Sequence, residues 1–249
     1  PQEHIRISPP AVSIIARSTD ALQAIIPAVA QHNSVRTSRQ DEMKALKAMV
    51  EARYAALVPQ IDFIQVIREE LPDDGFYIDE FTQVGYVGRF AMPFYLPRTC
   101  VSTGYQGTLG WGFATALGVK VAHPEKPVLA ISGDGGFLFT AQELATAVQQ
   151  EISTVTLIFN DGAYGNVRRM QRERYDNRVI ASELHNPDIV KYAEAFGAQG
   201  LRAHTIDELR LAIRKGFETR GPTLIDIPVG EMPSPWSLFF APRVRPRPR

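Results

Sequence analysis

Two aspartates set the chemistry that this sequence can support. Asp134 lies in Gly133-Asp134-Gly135-Gly136 and Asp161 in Asn160-Asp161-Gly162, 27 residues apart. Each motif closes an apolar run, Val128-Leu-Ala-Ile-Ser132 before the first and Thr154-Val-Thr-Leu-Ile-Phe159 before the second. As buried strands, the two runs each present a carboxylate at the carboxyl end, beside glycine. Glycines let backbone N–H groups approach phosphate oxygens, and a following helix N-terminus favours negative charge. An aspartate repels that phosphate unless a cation stands between them, so the pattern calls for Mg²⁺ or Ca²⁺ carrying a diphosphate. Asp161 supplies a second side-chain oxygen, and a carbonyl within Gly162-Ala163-Tyr164 a third. Alone, Gly133–Gly136 also reads as a tight strand-to-helix turn; the second motif at the matching strand position favours a site. Rival phosphate motifs are absent. There is no Gly-x-x-x-x-Gly-Lys-Ser/Thr. The dinucleotide fingerprint needs glycine where Leu138 stands and an acid about 20 residues on, which disfavours a nucleotide-dependent oxidoreductase.

The elements that must position these residues alternate. Strands are expected at Phe76–Asp79, Val128–Ser132, Val155–Phe159 and Thr223–Pro228. Helices are expected at Ile61–Leu71, Thr108–Ala122, Ala141–Gln150, Asn166–Tyr175, Asp188–Phe196 and Ile206–Thr219. Alternating βα units argue α/β architecture, a doubly wound parallel sheet with helices on both faces. Ligands on such sheets sit at the carboxyl ends of the strands, where both acidic motifs fall. Upstream, Ala11–Ile15 reads as a strand and Thr19–Ile26 as a capped helix, with no sheet to join. Residues 37–57 read as a polar, Lys/Glu-rich helix.

Composition narrows the partners. The 249 residues carry no net charge, which speaks against a nucleic-acid or anionic-membrane partner. Only the tail, Arg243-Val-Arg-Pro-Arg-Pro-Arg249, is basic, and its prolines read as a disordered end. One cysteine, Cys100, excludes an internal disulfide framework and fits a reducing compartment. No apolar stretch approaches the roughly 20 residues that span a bilayer. A cytoplasmic location is expected. The five histidines, His4, His32, His123, His185 and His204, show no metal-ligand spacing. The stretch Arg168-Arg169, Arg172 and Arg174 reads as a solvated helix face. Tyr105, Gln106 and Met170 are pocket candidates by position alone, and Trp111 and Phe113 read as packing residues between their helix and a neighbouring subunit.

The motifs together carry a resemblance. Gly133-Asp134-Gly135 through Asn160-Asp161 resembles the thiamine-diphosphate signature, Gly-Asp-Gly followed after a helix and a strand by Asn-Asn. Pro97-Arg98-Thr99 through Gly118, with Gly104-Tyr-Gln-Gly-Thr-Leu-Gly-Trp-Gly112, resembles the preceding segment of the acetolactate synthase and benzoylformate decarboxylase superfamily. Gln142-Glu-Leu-Ala-Thr-Ala147 and Gly221-Pro-Thr-Leu-Ile-Asp-Ile227 also match. On this resemblance residues 60–232 form the diphosphate-binding domain, 37–59 a linker helix, 233–249 an extended tail, and 1–36 the last strand and helix of a middle domain. The chain is then expected to be a piece of a longer protein.

The resemblance implies roles. Asp134, Asp161 and the Ala163 carbonyl bind Mg²⁺. Gly133, Gly135, Gly136, Tyr164, Gly165 and Asn166 hold the diphosphate of thiamine diphosphate, largely through backbone, and Thr82 and Gln83 reach its other side. Leu109 lies beneath the bent cofactor, with the Gly107 carbonyl and the Leu109 N–H on the pyrimidine edge. Two positions depart from the family. Asp161 replaces the second asparagine, adding a negative charge, and the aromatic expected of biosynthetic acetohydroxyacid synthases falls near Met170. The activating glutamate of the family belongs to a pyrimidine-binding domain that these residues do not contain. Neither Glu80 nor Glu143, on the diphosphate side, takes its place. No catalytic residue is therefore assigned in this chain. The expected function is the cofactor-binding domain of a 2-keto acid decarboxylase or carboligase, a lyase or transferase. It would be completed by a pyrimidine-binding domain, from the missing part of the protein or another subunit, in a homo-oligomer. The alternative is a non-catalytic cofactor-binding or scaffold domain.

Overall fold

The computed structural model describes residues 10–33, 37–104 and 106–239; His4, Tyr105 and the basic tail lie outside them. The chain divides into two compact units, Pro1–Ala48 and Met49–Arg249. The first holds helix α1 (Ser18–His32), which buries none of its residues, and the start of α2 (Gln40–Tyr54). The strand expected at Ala11–Ile15 does not form. A strand needs a ladder partner for its backbone groups, and this unit offers none among the described residues.

The second unit is a six-stranded, wholly parallel sheet in the order β2-β1-β3-β4-β6-β5. Its strands are β1 (Phe76–Ile78), β2 (Cys100–Val101), β3 (Val128–Gly133), β4 (Val155–Asn160), β5 (Gln199–Arg202) and β6 (Thr223–Pro228). Alternation along the strands sorts side chains between two faces. Leu129 and Ile131, Val155, Leu157 and Phe159, and Ile225 and Ile227 join one cluster. That cluster packs on α3 (Gln60–Glu70), α4 (Gln83–Ala91) and α10 (Ile206–Glu218) through Ile64, Ile67, Val84, Val87, Leu209 and Ile213. The residues between them, Ile158 and Leu224, meet Phe113 of α5 (Trp111–Ala122), Leu144 of α7 (Leu144–Gln149) and Ile189 of α9 (Ile189–Ala195). Strands covered on both faces are apolar throughout, which is why β3 and β4 read as unbroken apolar runs.

The order reverses at β1: β2 lies on one side and β3 on the other. This opens a crevice at the carboxyl ends of β1 and β3. Three elements of the sheet unit escape sequence reasoning. The first, α4, carries Gly85 and Gly88, poor helix formers that packing requires, since a Cβ at Gly85 would lie 2.1 Å from the Glu80 carbonyl oxygen. Strand β2 has only two residues, and β5, Gln199–Arg202, has no apolar run. The helix expected from Thr108 starts instead at Trp111. Gly107 and Gly110 take left-handed backbone, φ 65° and 81°, so 107–110 is a loop and Leu109 stands outside the helix.

Candidate functional site

Every residue expected to hold cofactor or metal lines one cavity of about 250 Å³ at these strand ends. From the end of β1 come Thr82 and Gln83, and from the loop before α5 come Gly107 and Leu109. The turn after β3 brings Gly133, Asp134, Gly135 and Gly136, whose residues Asp134–Phe137 form the short helix α6. The turn after β4 brings Asp161, Ala163 and Tyr164, leading into Gly165 and Asn166 at the start of α8 (Gly165–Arg174).

Both carboxylates are withdrawn from water. Asp134 is 1% exposed and the Asp161 side chain 9%. Burial raises the proton affinity of Asp134, against an Asn186 Nδ2–H donated to its Oδ2 at 2.6 Å and the N–H groups of Gly135 and Gly162. Burial, and then the Asp134 charge, push Asp161 up to about 6, opposed by Arg168 and the Ala163 N–H. Arg168 is the nearest cation, 4.0 Å from Asp161 Oδ2. Two buried carboxylates, the charge of one raising the proton affinity of the other, are the donor set a hard divalent cation neutralises. Among the described residues no third His, Cys, Asp or Glu joins them.

The glycines are needed at close approaches. A Cβ at Gly165 would sit 2.4 Å from Asp161 Oδ2, and one at Gly135 would meet the Tyr164 ring at 2.5 Å. The turns thus close on the carboxylate and ring with no room for a side chain, leaving a backbone-lined cradle that fits a diphosphate. Thr82 and Gln83 already carry internal bonds. Thr82 Oγ1 caps α4 by accepting the Gly85 N–H at 2.8 Å. Gln83 donates to Asp161 Oδ2 at 3.1 Å and to the Gly230 carbonyl at 3.2 Å, and accepts the Met232 N–H at 2.7 Å.

Other expectations are corrected. Gln106 and Met170 do not line the cavity, and nor does Glu143. The arginine stretch is not a uniformly solvated face: Arg169 is buried, lines the cavity and donates to the Met232 carbonyl, while Arg168 turns to Asp161. Phe113 lies fully inside the core rather than at a subunit contact. The sequence also hides participants. Asn186 bridges Asp134 and, at 3.0 Å, Asn160 Oδ1, and Asn160 in turn donates to Asp226 Oδ1 at 3.1 Å. Phe81, Tyr86 and Trp236 form an aromatic wall, with ring centroids 5.3 Å and 4.7 Å apart in that order. Glu80 is 1% exposed just below the cavity. Only Glu80 carried a sequence signal, a carboxylate directly after a strand.

Residues 83–227 match the family model "Thiamine pyrophosphate enzyme, C-terminal TPP binding domain". The chain is 43% identical over 135 residues to an acetolactate synthase of Bacillus subtilis, covering 54% of this chain and 24% of that protein. It is 32% identical over 228 residues to a probable 2-ketoarginine decarboxylase of Pseudomonas aeruginosa, covering 88% and 39%. Among solved structures it superposes on a benzoylformate decarboxylase from Polynucleobacter necessarius with TM-score 0.63 at 26% identity, covering 69% of this chain and 33% of that one. A thiamine diphosphate-dependent 4-hydroxybenzoylformate decarboxylase of Rhodococcus jostii gives TM-score 0.65 at 25% identity, covering 71% and 33%. The chain thus spans between about a quarter and two fifths of these relatives' length. With an all-parallel sheet, two acidic turns at its switch point and a family match over more than half its length, this chain belongs to the thiamine pyrophosphate enzymes and forms their C-terminal cofactor-binding domain.

Proposed function

We propose that this chain supplies the diphosphate and metal half of the active site in a 2-keto acid decarboxylase or carboligase. The carrying observation is the pair Asp134 and Asp161, buried together on the cavity that also holds Leu109 and the glycine turns. Mg²⁺ is held by both carboxylates and the Ala163 carbonyl, and the diphosphate by backbone N–H groups of the Gly133–Gly136 turn and the start of α8. Leu109 and the Gly107–Gly110 loop seat the aminopyrimidine–thiazolium portion. Thiamine diphosphate when bound supplies the carbanion and electron sink for 2-keto acid chemistry; the protein binds, orients and excludes water. Phe81, Tyr86 and Trp236 shield one wall, and Asn186 holds the orientation of Asp134. The activating glutamate comes from a pyrimidine-binding domain, elsewhere in the whole protein or on a second subunit.

The test is calorimetry of the chain with thiamine diphosphate, with and without Mg²⁺. Binding that requires Mg²⁺ and disappears in Asp134→Ala is expected; metal-independent binding refutes the assignment. In a turnover assay the chain alone is expected to consume no 2-keto acid. Consumption would sink the claim that the activating group lies elsewhere.

A further inference from the structure

Below the cavity, one carboxylate joins three separate elements. Glu80 follows β1 and is 1% exposed. Its Oε1 accepts the Gly110 N–H at 2.7 Å, and its Oε2 accepts the Gly112 N–H at 3.1 Å and the Ser132 hydroxyl at 2.6 Å. The first two donors are backbone groups at the start of α5, which has no cap from its own loop: Gly110 stands at the N-cap position in left-handed backbone. Glu80 therefore caps α5 from a different strand. The fit is close on two sides. A Cβ at Gly136 would lie 2.2 Å from Oε1, and a Cβ at Gly112 would lie 2.8 Å from Oε2. The carboxylate is wedged between the Gly133–Gly136 turn and the loop that carries Leu109.

Leu109 gains nothing from helical neighbours, since α5 begins two residues later. Its loop is fixed on one side by Phe81, whose ring leaves no room for a Cβ at Gly107 (1.8 Å), and on the other by Gly110. Gly110 is held by Glu80 and by Thr140, whose hydroxyl donates to the Gly110 carbonyl at 3.1 Å. Ionised, Glu80 is acceptor-only and matches three donors; a primary amide in its place turns an N–H₂ towards at least one of them.

From this geometry we infer that Glu80 is a positioning residue that sets the Leu109 loop against the diphosphate turn and so selects for the ring portion of the cofactor. The inference rests on the proposed cofactor site, but it separates two parts of one ligand. The diphosphate depends on the metal carboxylates and the glycine turns, whereas the rings depend on the loop that Glu80 holds.

The experiment is calorimetry of the 249-residue chain with thiamine diphosphate and, separately, with inorganic diphosphate, each with Mg²⁺. The wild type is expected to bind thiamine diphosphate more tightly. Glu80→Gln is expected to weaken thiamine diphosphate at least tenfold while inorganic diphosphate stays within twofold. A purely structural role lowers both together or neither, so an unchanged ratio of the two affinities overturns the inference. Should Glu80→Gln fail to fold, Ser132→Ala decides. It removes one of the three donors to Glu80, and a smaller loss confined to thiamine diphosphate supports the role, while an unchanged ratio overturns it. A wild-type chain that binds neither ligand would refute the cofactor assignment itself, a result distinct from the failure of Glu80.

Discussion

Replacing Asp161 with asparagine should stabilise the metal-free chain, because the carboxylate is held where its charge is unfavourable. Burial and the neighbouring Asp134 charge raise its pKa from 3.8 to about 6, and its side chain is only 9% exposed. In the folded chain Asp161 therefore binds its proton more tightly than in the unfolded chain. Stability is greatest below about pH 4, falls as pH rises through the window to about 6, and stays lowered above it. At about 1.36 kcal/mol per pKa unit, the ionised group costs about 3 kcal/mol at neutral pH. Asp161→Asn removes that charge and keeps the size. In chelator at pH 7.5 the variant should melt roughly 6–12 °C above the wild type, taking about 2–4 °C per kcal/mol for a unit of this size. The gap should close by pH 4. Adding Mg²⁺ should reverse the sense of the comparison, raising the wild-type melting temperature more than the variant's, since the second charge then faces a cation. Differential scanning fluorimetry across pH 4–8, with chelator or Mg²⁺, reads all three effects. An equal melting temperature in chelator at pH 7.5, or a gap that persists at pH 4, refutes the argument that Asp161 is electrostatically strained without metal.

Three further outcomes follow from the same geometry. Gly165→Ala puts a methyl 2.4 Å from Asp161 Oδ2, so Mg²⁺-dependent diphosphate binding should weaken more than tenfold by calorimetry; retained affinity would show that the turn relaxes. Gly107→Ala meets both a left-handed backbone and the Phe81 ring at 1.8 Å, and should destabilise by about 2–3 kcal/mol in denaturant melts. Gly104→Ala is its control: φ is 68° but nothing lies within 4 Å, so the loss should be only about 1 kcal/mol; equal losses would remove Phe81 from the explanation. Asn186→Ala frees the Asp134 oxygen it now binds at 2.6 Å and should weaken Mg²⁺-dependent binding about tenfold without shifting the chelator melting temperature by more than a few degrees.

The amino-acid sequence alone determined the core of the sheet and the acidic turns. Val128–Ser132, Thr154–Phe159 and Thr223–Pro228 are predominantly apolar because parallel strands are covered on both faces, and that pattern is local. Asp134 and Asp161 lie at the ends of those runs, so their placement at one rim needed only the parallel arrangement. The glycine-rich stretch around Leu109 was visible too, although its helix was extended three residues too far, because composition does not reveal that Gly107 and Gly110 take left-handed backbone. What the tertiary structure decided was what each face meets. The order β2-β1-β3 brings the end of β1 against the acidic turns and makes Glu80 a cap for α5, contacts 30 and 32 residues apart in the chain. It places Asn186 on Asp134, turns Arg168 and Arg169 inward, and carries Trp236 to Tyr86. A local apolar or polar pattern reports that a side chain is buried or exposed, but the partner it finds is fixed by strand order and by loops that close over distances no periodicity encodes.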